Sequence, residues 1–155
     1  MDAMQMMIQG KETMNALIDT LYDLAYSNGL SLERETLVTE FEAMAMYVAG
    51  TDNDISSDEI SFMNFMFDLN MSASDVPGLI SLLSDSYNSL VNNLELTGWM
   101  LSKAADEATG NRQVTDVYID TMKIVMQLFS AIDGETDPKE EQFIEDFANR
   151  LRMDR

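Results

Sequence analysis

Four carboxylates, Asp52, Asp54, Asp133 and Glu135, are the residues of this chain best placed to do chemistry, because each pair is separated by a single residue in a short polar stretch. In a loop, that spacing aims both side chains at one centre, as the early positions of a calcium loop do. Pooled, the two stretches would supply four carboxylates and several backbone carbonyls, enough for a hydrated divalent cation if the loops approach each other. The chain has no cysteine and no histidine. Their absence removes thiol chemistry, Ser–His and Cys–His catalysis and the ligands that zinc and copper prefer, and leaves oxygen donors suited to Ca2+, Mg2+ or Mn2+. The competing reading is that Asp52 and Asp133 bend back onto amides of their own loops as Asx-turns. An EF-hand is excluded in both copies. Counted from Asp52, Ser57 stands where the invariant glycine belongs and Met63 where the bidentate glutamate belongs; counted from Asp133, those places fall to Pro138 and Ile144.

The two stretches are copies of one pattern. Gly50 to Glu59 is echoed by Ala131 to Glu140, with Asp133 following Asp52 by 81 residues (133 − 52). At that offset Asp54 faces Glu135, Ser56 faces Asp137, Glu59 faces Glu140 and Phe62 faces Phe143. Each stretch ends in a capping box: a serine N-cap with Glu59 three residues on, and an aspartate N-cap with Pro138 at the first helical position and Glu140 at the third. A lost cap costs ~0.5–2 kcal/mol, so structure alone explains Ser56, Glu59, Asp137 and Glu140. It does not explain the four carboxylates upstream of them.

Helices must position these loops. From Met4 to about Ser27, Met14, Leu17, Ile18, Leu21 and Leu24 form the stripe of an amphipathic helix, stopped at Asn28-Gly29. Ser31 is the expected cap of a second helix with Glu33 and Glu35 in its first turn and Leu37, Phe41, Met44 and Val48 on one face, ending at Gly50. A third helix opens at Ser56 and is apolar on almost every side, which predicts a central position. Ser72 or Ser74 starts the next helical piece, with Pro77 in its early turn. Leucines continue the period to Leu101, while the Asn/Ser-rich stretch around Asn88 and Thr97-Gly98 argue against one unbroken helix. Ala108 to Asn111 breaks the chain again. Tyr118, Met122, Val125, Phe129 and Ile132 mark a further helix, and Phe143, Phe147 and Leu151 the last. The expectation is an all-α chain of about seven helices with no strand.

The 155 residues suit one domain, 46% hydrophobic composition is too high for disorder, and no apolar run reaches the ~18 residues of a membrane span. The start lacks a basic secretory leader, so a cytoplasmic location without direct membrane insertion is expected. A net charge of −19 repels nucleic acid and anionic membranes and favours cations or a protein partner with a basic surface. Of the 14 methionines, Met44, Met46, Met63, Met66, Met122 and Met126 are expected to fill the core. Met4, Met6 and Met7 best fit the alternative of an adaptable, part-exposed groove for a partner helix. No P-loop, nucleophile elbow or dinucleotide fingerprint is present, so no enzyme is expected.

The doubled pattern of small apolar residues, Asp-Gly or Asp-Asn, an acidic residue and Ser/Asp-x-x-Glu opening a helix resembles the TerB-like tellurite-resistance family from about Leu37 to Arg152. The family's aspartate falls on Asp52 and Asp133, its closing glutamate on Glu59 and Glu140, and its glycine on Gly134; the first copy departs by placing Asn53 there, the other residue that readily turns left-handed. The resemblance implies one helical domain over 1–155, with a Met-rich N-terminal helix in 1–30 and a TerB-like core in 31–155. It also implies a non-enzymatic binding or scaffold protein tied to tellurite resistance, stress response or phage defence, acting as a scaffold or metal-linked sensor. Direct detoxification is disfavoured, since tellurite is an oxyanion and there is no thiol to reduce it. The alternative from charge and size is an acidic inhibitor or immunity-type protein that mimics nucleic acid.

Overall fold

The computed structural model describes residues 2–49, 55–110, 112–132 and 137–153. Among them every regular element is helical and there is no strand. The order is α1 (Ala3–Ser27), α2 (Arg34–Ala49), α3 (Ser57–Phe67), α4 (Val76–Tyr87), α5 (Thr97–Thr109), α6 (Gln113–Ala131) and α7 (Pro138–Met153). A 3-10 turn at Ala73–Asp75 leads into α4 and a π-turn at Asn88–Asn92 leads out of it. No helix is long and apolar enough to cross a membrane.

α1 begins on a capping box, with the Asp2 carboxylate accepting from the Gln5 amide at 2.8 Å. It buries Met7, Gly10, Met14, Leu17, Ile18, Leu21 and Ala25, one continuous seam. The stop expected at Asn28-Gly29 is a Schellman motif: Gly29 takes φ +74° and donates to the Tyr26 carbonyl, and Leu30 donates to the Ala25 carbonyl at 2.9 Å. α1 is therefore an integral part of the core, packed on α2, α5 and α6. Met7 is buried with it, whereas Met4 and Met6 are exposed.

The centre of the molecule is α6, which packs against α1, α2, α5 and α7. This corrects the expectation that α3 is central. α3 buries Phe62, Met63, Met66 and Phe67, but its 11 residues are too few to reach several partners, whereas the 19 of α6 span the bundle. The buried apolar side chains nonetheless form one cluster that draws on all of these helices except α4. All six core methionines expected from the sequence are within it.

One boundary differs from expectation. α2 starts at Arg34, so Ser31 lies too far upstream to be its cap. As expected, no single helix runs unbroken through Asn88 and Thr97-Gly98; α5 begins at Thr97 and enters there against the core. A Cβ on Gly98 would lie 2.8 Å from Tyr118 Cε2 and 3.4 Å from Leu21 and Leu37, so only glycine permits that approach. The break falls just before it, where Leu94 adopts φ +53° and is buried.

Candidate functional site

Asp52, Asp54, Asp133 and Glu135 lie outside the described residues; their anchoring helices do not. At the first bend Ser56 caps α3, accepting from the Glu59 amide at 3.2 Å while the buried Glu59 carboxylate accepts from the Ser56 amide at 2.8 Å. At the second, Asp137 accepts from the Lys139 amide at 2.8 Å, and Glu140 accepts from the Ser130 hydroxyl at 3.3 Å, tying the start of α7 to the end of α6. Phe62 at the middle of α3 meets Phe129 near the end of α6 edge-to-face, with ring centroids 5.5 Å apart. The helix after the first acidic stretch thus touches the helix before the second. Among the described residues no group of three or more acidic side chains is arranged to hold a metal ion.

The 81-residue correspondence extends from the sequence into the packing. Residues 81 apart are buried together: Leu37 with Tyr118, Phe41 with Met122, Met44 with Val125, Val48 with Phe129, Met63 with Ile144 and Met66 with Phe147. Each unit is a helix, an acidic stretch and a second helix. They differ in how far the second helix runs. α7 has 16 residues and α3 has 11, so the final turn of α7 has no counterpart on α3.

That difference decides what covers the first helix of each unit. On α6, Lys123 pairs with Glu145 of α7 at 2.7 Å and Asp120 with Arg152 of α7 at 3.4 Å. On α2 the equivalent positions are Glu42 and Thr39. The residue equivalent to Glu145 is Asn64, whose amide is spent on the Met71 backbone at 2.8 and 3.0 Å. α3 ends at Asp68, which takes φ +55° and is held by Lys11, whose Nζ also donates to the Phe65 carbonyl at 2.7 Å. The chain then runs past Glu42 to α4 and leaves this face of α2 only partly covered.

The result is a cleft of about 490 Å³ between α2 and α4. Glu33, Glu35 and Glu42 mark its α2 side; Leu79, Leu82, Leu83 and Leu90 form the opposite wall. Glu42 is half-buried, has no hydrogen-bond or ion-pair partner among the described residues, and its pKa is raised above the usual carboxylate value by burial. α4 is rich in leucine and isoleucine yet buries no residue fully, and Leu82 is 66% exposed. Its far end is pinned by Tyr47, whose hydroxyl donates to the Leu83 carbonyl at 2.8 Å and whose ring meets Tyr87 edge-to-face at 5.2 Å. Burial, with Tyr87 beside it, pushes the Tyr47 hydroxyl to about 12, so it stays a donor at neutral pH. Arg150 of α7 donates to the Val91 and Asn92 carbonyls, each at 2.6 Å, closing the π-turn.

Two acidic residues with defined roles escaped the sequence reading. Glu40 on α2 is buried and accepts from the Thr97 and Gly98 amides at 2.6 and 3.1 Å, capping α5 from another helix. Burial raises its pKa, with the hydrogen bonds from Thr97 and Gly98 acting the other way. Asp106 at the end of α5 likewise caps α6, accepting from the Val114 and Thr115 amides, each at 2.9 Å. The one available signal was negative: neither Leu96 nor Arg112, the residues preceding those helices, has a side chain suited to capping.

No family model, curated protein or solved structure matches this chain.

Proposed function

We propose that this chain is a non-enzymatic, TerB-like binding module: one domain of about seven helices over residues 1–155, cytoplasmic, and linked to tellurite resistance or stress response. It engages a protein partner with a basic surface. Asp52, Asp54, Asp133 and Glu135 bind a divalent cation, Ca2+, Mg2+ or Mn2+, between the two bends. The observation that carries the binding role is the partly covered acidic face of α2, where Glu42 has, among the described residues, no partner like the one its counterpart Lys123 has. A half-buried carboxylate without a counter-ion is costly, and a basic partner relieves that cost. The contact of α3 with the end of α6 supports a joint cation site, and the matched burial of residues 81 apart supports the TerB-like duplication.

Two measurements test this reading. Immobilised full-length chain should retain a basic protein that salt elutes and that Glu35→Lys/Glu42→Lys fails to hold. If DNA displaces that protein competitively, the nucleic-acid mimic replaces the scaffold. For the cation, melting temperature is followed while Ca2+, Mg2+ or Mn2+ is added. A rise in wild type that Asp52→Asn/Asp133→Asn abolishes supports the site, and equal shifts in both proteins refute it. Phosphoester turnover by the metal-loaded chain, lost in Asp133→Asn, would overturn the non-enzymatic assignment.

A further inference from the structure

The second unit is an internal template for what the first unit lacks. α7 continues past the point equivalent to the end of α3, and in doing so supplies a cation, Arg152, to the acidic side chain of Asp120 on α6. The matching face of α2 carries acidic side chains of its own and, among the described residues, receives no such helix. Opposite it, Leu79, Leu82, Leu83 and Leu90 recur at helical spacing along about 16 Å of α4 and the π-turn, at 1.5 Å per residue. An apolar stripe on one wall and unpaired carboxylates on the other match the groove geometry that binds an amphipathic helix through anchors at i, i+3 or i+4, and i+7.

We propose that the cleft between α2 and α4 receives one α-helix of a protein partner, basic and amphipathic, which lies along α2 as the end of α7 lies along α6. Its apolar stripe covers the leucines of α4, and a lysine or arginine on its flank pairs with Glu42. This deepens the binding-module reading and rests on it. Charge selects the occupant. A second copy of this chain brings its own net charge of −19, and an anionic membrane or nucleic acid is repelled by the same field. A basic helix gains on both walls, and its long side chains reach Glu42 while their stems stay on apolar surface. The cleft also explains why a helix as apolar as α4 is kept at the surface with no residue fully buried: its stripe is completed by the partner.

The test uses full-length chain and three labelled peptides of about 18 residues, long enough for five turns. One carries lysines flanking a leucine stripe, one has the same composition with the stripe scrambled, and one has the stripe flanked by glutamates. Fluorescence anisotropy should show the first binding at least about tenfold more tightly than the second, a difference of about 1.4 kcal/mol, and no binding of the third. Leu82→Asp should weaken the first peptide about tenfold without lowering the melting temperature, since Leu82 is largely exposed. Glu42→Gln should weaken it several-fold and reduce its salt dependence. Equal affinity for the striped and scrambled basic peptides reduces the interaction to bulk charge and overturns the proposal. So does unchanged affinity in both Leu82→Asp and Glu42→Gln. The peptide titration decides the cleft and the capture experiment decides the binding role, so the two fail separately.

Discussion

The units α2–α3 and α6–α7 begin alike and finish differently. Their first helices bury equivalent residues, and each acidic stretch leads into a helix capped by a side chain at the equivalent position, Ser56 or Asp137. Beyond that, α7 lies along α6 and closes it with two ion pairs, while α3 stops at Asp68 and spends its Asn64 amide on the Met71 backbone. The α6–α7 unit is thus closed along its flank, and the α2–α3 unit is closed less fully. The equivalent buried positions coincide in the core, where volume and shape are constrained. The units part at the surface, where α3 is five helical residues shorter than α7.

The largest test of this contrast compares one position in the two copies. Phe62 is fully buried against Phe129, whereas Phe143 is only half-buried and stacks on Phe147. Phe62→Ala should cost about 4 kcal/mol in a urea unfolding experiment. Phe143→Ala should cost about half as much, because less area leaves water there. Equal costs would mean that the two second helices are anchored alike, and the asymmetry would lose its basis.

Next in size is Glu40, which has Thr121 at the equivalent place on α6. Glu40→Ala removes the cap of α5 and strands two amides near the core, an expected loss of about 3 kcal/mol. Thr121→Ala should cost about 1 kcal/mol. Amide hydrogen exchange should place the Glu40→Ala loss in the first turn of α5, and a loss spread evenly over the molecule would contradict the capping role.

The smallest effects concern the open and closed flanks themselves. Lys123→Ala breaks a part-exposed ion pair and should cost at most about 1 kcal/mol, falling in high salt. Glu42 behaves in the opposite sense. Burial raises its folded-state pKa above the ordinary 4.5, so the folded state holds its proton more tightly than the unfolded chain does. Stability from this group is complete below pH 4.5 and is lost as pH rises through the raised value. Glu42→Gln should therefore leave stability unchanged near pH 4 and raise it slightly at pH 7, read as the difference in urea midpoint from wild type at each pH. A fall at pH 7 would show that Glu42 already has a counter-ion.

What could be read from the chain alone was local. The Ser56–Glu59 capping box, the Gly29 stop and the stripe of α6 involve residues a few positions apart, and their physics is complete within one or two turns of chain. The periodicity also foretold the all-helical character and the buried methionines, because an amphipathic stripe has to find apolar cover. Glu40 could not be read this way: its partners are 57 and 58 residues away, and in sequence it is one more carboxylate among 28 acidic residues. The break near Gly98 was legible, but the reason for a glycine there was not, because its neighbours in space, Tyr118, Leu21 and Leu37, come from three other helices. The centrality of α6 over α3 depended on which helices reach one another, a property of length and packing rather than of apolar content. The sequence by itself determined the helices, the 81-residue echo and the acidity. Tertiary structure alone decided which carboxylates were consumed as caps and which, like Glu42, found no partner among the described residues, because pairing depends on distance in space and the chain order does not encode that directly.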